Sequence, residues 1–295
     1  MNSAAAVSRV EELRQEALAK VRSEHYDEAL ALYDEALSLA AEEDVRELIT
    51  INKADAMIAL QMSGPEVQSL PMILMRRRNL HHTFLAAYAL MYKHRLQNET
   101  KRGIFYGQVA LDAANESGEP LWKLGALNDL GIVYEIDSQF AKAIDCFEEA
   151  LALVGRLNDQ STERFSEVAI IQNLGYNKLL VGETHEGIRM IEEVLESIEV
   201  PSTKSDSYLD LCYGYLDLEK FEKARYYGEI GLDLAVEARQ VRNAHYLLGE
   251  VSYKTGDLET AHFHFDELCR YYPQFRNLKS LLFAIDLRSM VNFRL

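Results

Sequence analysis

The feature that most constrains this chain is a ruler of small and aromatic residues that recurs along it. In the segment LNDLGIVYEIDSQFAKAIDCFEEAL, residues 127–151, small residues stand at Gly131, Ala143 and Ala150 among Leu127, Leu130, Tyr134, Phe140 and Phe147. Measured from Gly131, a tyrosine follows at plus three, phenylalanines at plus nine and plus sixteen, and alanines at plus twelve and plus nineteen. The same ruler laid on Gly175 finds Gly187 and Ile191; on Cys212 it finds Tyr215, Phe221, Ala224, Gly228 and Gly231. Laid on Gly249 it finds Leu258, Ala261, Phe265 and Leu268, and on Ala17 it finds Lys20, Tyr26, Ala29, Tyr33 and Ala36. From Gly131 onward the copies are spaced 44, 37 and 37 residues apart.

A fixed period in that range, with helical spacing inside each unit, marks an array of helical repeats. Two helices approach to about 8–10 Å only where the residues at their crossing are small. Gly131 and Ala143 are the expected crossing of one pair, Ala150 lies toward the next unit, and Tyr134, Phe140 and Phe147 fill the flanks. The small residues are there for packing.

The run of leucine, small residue, tyrosine, turn, aromatic, alanine, aromatic, alanine resembles the tetratricopeptide repeat family, whose unit is two antiparallel helices. Pro201 and Pro273 stand near the family's closing proline. The resemblance implies an all-α, right-handed superhelix (an α-solenoid) of about seven antiparallel helix pairs plus a C-terminal capping helix. One solenoid is expected over 1–295: a first repeat at 9–40, degenerate helix pairs at 43–118, four clearer repeats at 119–273 and a cap at 276–293. In the degenerate stretch, helices are expected from Glu43, from Pro65 to about Met75, from Asn79 to about Gln97 and from Thr100 to Ser117. The cap is expected because an end unit would otherwise expose its apolar face. Its Leu281, Leu282, Ile285, Met290 and Phe293 leave little polar face, so it either folds back on the last pair or joins two copies as a homodimer.

Composition narrows the function. The charge of −16 disfavours nucleic acid as partner, since phosphate binding rests on lysine and arginine. No window approaches about 18 uninterrupted apolar residues, so no membrane span is expected. The N-terminus, charged from Arg9, does not read as a secretory signal. Cys146, Cys212 and Cys269 are far apart and odd in number, which fits reduced thiols in a cytoplasmic protein. No Gly-rich phosphate loop, nucleophile elbow or CxxC is found, so no catalytic residue, cofactor or metal is assigned and no enzyme is expected. His262, Asp266 and Cys269 invite a metal reading, but they share a helix with the packing residues Ala261, Phe265 and Leu268.

In tetratricopeptide arrays the first helix of each pair lines the concave face, at six, three and two residues before the small residue and one after it. The resemblance therefore implies a groove carrying Gly125, Asn128, Asp129 and Ile132, then Ala169, Gln172, Asn173 and Tyr176. It continues with Asp206, Leu209, Asp210 and Tyr213, then Asn243, Tyr246, Leu247 and Glu250. Asparagine amides both donate and accept, which suits a peptide backbone, and tyrosine adds broad area with a polar tip. A protein-interaction scaffold or adaptor is expected, binding a peptide segment or partner helix, with Asp129, Asp206, Asp210 and Glu250 favouring a neutral or basic one. The bland alternative is that these polar residues only solvate a face.

The chain is also similar, more weakly, to the repeat domains of bacterial peptide-sensing regulators, which have a comparable period and inner asparagines. The alternative function is thus a peptide-responsive signalling regulator without its own DNA-binding domain. Finally, residues 71–102 hold a basic island of Arg76, Arg77, Arg78, Lys93, Arg95, Lys101 and Arg102 against Glu99 alone. It could meet an acidic partner or RNA, or pair with the acidic N-terminal repeat.

Overall fold

The computed structural model describes residues 3–157, 164–271, 273, 276 and 279–285, and every regular element among them is helical. In chain order the helices are α1 (Ser3–Arg22), α2 (Tyr26–Leu39), α3 (Glu43–Ala59), α4 (Pro65–Arg76), α5 (Leu80–Leu96), α6 (Thr100–Ser117) and α7 (Pro120–Ile136). They continue as α8 (Phe140–Leu157), α9 (Arg164–Leu180), α10 (Thr184–Val194), a 3₁₀ turn (Leu195–Ser197) and α11 (Pro201–Asp217). The last are α12 (Phe221–Asp233), α13 (Ala238–Lys254), α14 (Leu258–Tyr271) and the short α15 (Lys279–Leu282). Two compact units result, Met1–Val133 and Tyr134–Leu295.

One turn closes all seven helix pairs. The residue seven after the ruler's origin is left-handed in each: Glu24, Gln61, Asn98, Ser138, Gly182, Glu219 and Gly256, with φ from 54° to 86°. The next N–H then donates to a carbonyl five residues back at 2.8–2.9 Å, as His25 to Lys20, Glu99 to His94 and Asp257 to Ser252. This is the Schellman closure, which satisfies the last carbonyls of a helix. It also supplies the register of the degenerate stretch, whose origins are Ala54 and Met91.

At Met91 the small residue has changed sides. A Cβ on Gly107, in α6, would lie 2.8 Å from Met91 Sδ and 2.7 Å from Leu130 Cδ1. The expected crossing is directly visible between α9 and α10, where a Cβ on Gly187 would lie 2.6 Å from the carbonyl oxygen of Gly175. Between α13 and α14, Gly249 instead accommodates the ring of Phe265, whose Cε1 would be 2.4 Å from an added Cβ. Ala143, Ala150, Cys212, Ala224 and Ala261 are fully buried.

The first unit packs α1 on α2, α3 on α4 and α5 on α6, with α2 against α3 and α4 against α5. Leu13, Ala17, Ala29, Tyr33, Ala36 and Ile49 form one of its apolar centres. In the second unit α9 to α14 pack consecutively around Ile191, Leu211, Cys212, Val251 and Phe265. Of the expected cap at 276–293, Leu282 is buried and the Phe283 ring meets Phe265 edge-on at 5.0 Å. The described part therefore lies back on the last pair; of the apolar residues that suggested self-association, Leu281, Leu282, Ile285, Met290 and Phe293, the last two are outside the described residues.

Candidate interaction surface

In the second unit, α9, α11 and α13 are successive first helices, and side chains one repeat apart in sequence meet across them. Gln172 donates to Ser207 Oγ at 2.7 Å, and Gln240 donates to the carbonyl of Ser202 at 2.7 Å. Arg239 grips Asp206 with two parallel hydrogen bonds of 3.0 and 2.9 Å. That fork geometry matches a guanidinium to a carboxylate.

Tyr176, Asp206, Leu209, Asp210, Tyr213, Asn243 and Leu247 surround a cavity of about 10 Å³, roughly the room one water needs. All seven are among the groove residues expected from sequence; Tyr176, Asp210, Tyr213 and Asn243 are the buried polar members. They form a floor: Tyr176 is fully buried, and Asp210, Tyr213 and Asn243 are nearly so. Gln172 and Tyr246 are buried as well. Asn173, Asp206, Arg239 and Arg242 keep partial exposure. A second and larger cavity of about 490 Å³ lies beside this row, between Val168, Ala169 and Gln172 of α9, residues 196–200 and Thr203 of α11.

In the first unit, Asn128 and Asp129 are half-buried on α7. Asp129 accepts from Arg95 at 2.9 Å and from the Tyr88 hydroxyl, both on α5. Burial holds the Tyr88 hydroxyl well above its ordinary pKa, with the Asp129 charge adding to the effect. Asp55, on α3, is pushed up to about 6 by burial and then by Asp129. Asn128 Oδ1 is buried and has no hydrogen-bond partner among the described residues.

These pairings correct the expectation that acids give the face a preference for bases. Asp129 and Asp206 are held by Arg95 and Arg239, while Asp210 and Glu250 are buried. Those arginines were not recognised as groove residues. Their signal is the sequence separation, 34 for Arg95 with Asp129 and 33 for Arg239 with Asp206, close to one repeat.

The basic island is likewise divided. Arg78 pairs with Glu43 at 2.9 Å, Arg77 with Glu116 at 2.6 Å, and Arg76 lies 3.9 Å from Glu43. The arginines therefore take the intramolecular option, mainly toward the acidic start of α3. Lys93 has no ion pair among the described residues and lines a separate cleft with Lys101. His82 and His94 are buried, and His81 stacks on Trp122 at 4.9 Å. No group of three or more metal-ligating side chains gathers among the described residues. Asp266 pairs with Lys279 at 2.6 Å and His262 packs against Phe283. The histidines that do meet, His245 and His264 with Nδ1 atoms 3.0 Å apart, were not singled out from sequence. Burial and His245 lower the pKa of His264 to about 4, so it is neutral near pH 7.

No family model matches the sequence and no curated protein is similar to it. Solved structures are. The apo quorum sensor NprR from B. thuringiensis superposes with a TM-score of 0.74 at 16% identity, covering 92% of this chain and 80% of that one. The fold is a tetratricopeptide-repeat fold, as in a solved tetratricopeptide repeat protein from Parabacteroides merdae (TM-score 0.57, 13% identity, 94% of this chain and 98% of that one). Apo RapI superposes at 0.70 with 13% identity, over 93% of this chain and 82% of that one. A Rap protein complexed with competence and sporulation factor scores 0.66 at 16% identity, covering 98% and 80%. No helix among the described residues is long and apolar enough to cross a membrane.

Proposed function

We propose that this chain is a cytoplasmic, non-catalytic recognition module that holds an extended peptide segment of a partner along α9, α11 and α13. The observation that carries this reading is the row of polar groups on three successive first helices. A buried floor of Tyr176, Asp210, Tyr213 and Asn243 is flanked by half-exposed Asn173, Asp206, Arg239 and Arg242. The floor groups are oriented by burial, so little side-chain freedom remains to be lost when a ligand arrives. Asn173 and Arg242 lie half-exposed at the floor's edge, where a peptide backbone would run. The Asp206–Arg239 pair presents both signs of charge, which suits a ligand of mixed or neutral character.

Selection from a phage-displayed library of random peptides on the immobilised chain tests this. The expected result is an enriched family whose affinity falls about tenfold or more on Asn173→Ala plus Arg242→Ala. Enriched peptides that bind this variant as tightly as the wild type would place recognition elsewhere.

A second reading, a regulator that responds to a peptide, is favoured by one comparison. NprR superposes at 0.74 without its peptide and at 0.66 in complex with its cognate peptide NprX. If this chain changes conformation on binding, small-angle scattering of the saturated complex will show a changed radius of gyration. An unchanged value at saturation leaves the scaffold reading.

A further inference from the structure

The origins Ala54 and Met91, recovered from the left-handed turns, carry the groove ruler into the first unit. They put Asn52 and Asp55 of α3 and Tyr88 and Tyr92 of α5 at groove positions, as Asp129 is on α7. All five are half-buried, so each keeps one side toward solvent.

Most of the polar groups here are engaged. Asn52 accepts from Arg14 at 3.3 Å, and Asp129 accepts from Arg95 at 2.9 Å and from the Tyr88 hydroxyl. Arg14 is also tied to Glu11 at 2.6 Å, and Lys53 of α3 to Asp34 and Glu66, each at 2.7 Å. Asp55 is the exception. It makes no hydrogen bond and no ion pair among the described residues, although protein encloses it on nearly every side.

The groups within electrostatic reach of Asp55 are Tyr26 and Tyr33 of α2, Tyr88 of α5 and the Asp129 carboxylate of α7. Burial, with the Asp129 charge adding to it, lifts the Asp55 pKa to about 6, so near pH 7 the group is still mostly ionised. Two carboxylates thus share the one guanidinium of Arg95, which is bonded to Asp129. One negative charge is left over.

A carboxylate drawn out of water without a counter-charge costs stability. Folding has already met that cost, so an arriving cation gains the attraction and has mainly its own dehydration to offset. Tyrosine rings add to the pull, since their faces attract cations; the Arg95 guanidinium already lies over the Tyr92 ring at 4.9 Å. The same charge repels an anion, and a neutral ligand group would leave Asp55 without a counter-charge.

We propose that the first-helix face of α3, α5 and α7 receives a lysine or arginine side chain of an extended partner segment, its cationic head on Asp55 beside Tyr88. This surface belongs to the first unit and does not rest on the reading of α9, α11 and α13.

Parallel selections of a phage-displayed random-peptide library on the immobilised full chain and on its Asp55→Asn variant test this. The wild type should enrich a family with a lysine or arginine at one fixed position, and the variant should not. Fluorescein-labelled synthetic members should bind Asp55→Asn about tenfold or more weakly. The wild type should lose as much when norleucine replaces the basic residue, and the two changes together should cost little more than either alone. Affinity for the wild type should rise from about pH 5 to about pH 7 as Asp55 ionises, and stay level for the variant. Asn173→Ala plus Arg242→Ala should leave these affinities unchanged, which separates the fate of this surface from that of the second unit's row. Urea unfolding shows that Asp55→Asn is folded. The proposal is overturned if no basic family emerges, if Asp55→Asn binds it normally, if the two losses add, or if free spermidine binds as tightly as the peptides with the same dependence on Asp55.

Discussion

Replacing Gly187 with alanine sets two effects of opposite sign against each other. Alanine is the better helix former by about 1 kcal/mol in a helix interior. The added methyl, however, would lie 2.6 Å from the Gly175 carbonyl oxygen and 2.7 and 2.8 Å from Leu179 Cδ2 and Cγ. The first of these is backbone and cannot rotate away, so α9 and α10 must separate along their contact. Overpacking costs about 1–3 kcal/mol; with a fixed carbonyl as the obstacle the upper part of that range applies, leaving a net loss of about 1–2 kcal/mol after the propensity gain. Gly155 provides the matched control. It lies in α8 of the same unit, exposed, with nothing within 4 Å of an added Cβ. Gly155→Ala should therefore stabilise, by about 0.5–1 kcal/mol. Urea unfolding followed by far-ultraviolet circular dichroism measures both, with the slope checked for constancy. If Gly187→Ala is as stable as wild type, or the two variants shift the same way, tight helix crossing is not what the glycine serves.

The pH dependence of stability should carry a signature of Asp55. Its pKa rises from 3.8 to about 6 on folding, so the folded state holds this proton more tightly. Its contribution is most favourable below about pH 4, falls as pH rises to about 6, and stays lower above. Asp55→Asn should thus raise stability at neutral pH by about 2–3 kcal/mol and give little gain below about pH 4; a pH-independent effect in urea titrations would refute this. Tyr33 is fully buried and its hydroxyl has no hydrogen-bond partner among the described residues. Tyr33→Phe should then be neutral or stabilise by up to about 1 kcal/mol, and a clear loss in thermal unfolding would show that the hydroxyl is bonded.

The all-helical repeat architecture was legible because it depends on residues that recur: small ones at crossings and aromatic ones beside them. Gly175 with Gly187, and Cys212 with Ala224, stand where the ruler puts them. The copies at Ala54 and Met91 were not legible, since Met91 occupies the small position and Gly107 across from it yields the space. A period of 37 residues carried forward from Ala17 would have reached both. The candidate surface was legible as a set of positions but not as an electrostatic surface. Whether Asp206 is a naked charge depends on Arg239, which lies one helix away in space and 33 residues away in sequence. In the same way a count of cations could not tell Arg78, tied to Glu43, from Lys93, which stands over a cleft.

The seven left-handed closures also bear on how far such a chain can diverge. Each is held by main-chain groups, and five of the seven use a residue other than glycine, from Glu24 to Glu219. A bend specified by peptide groups asks only for a residue that accepts a left-handed backbone, which excludes proline and β-branched residues, so much of a repeat's text can change while its hairpin persists.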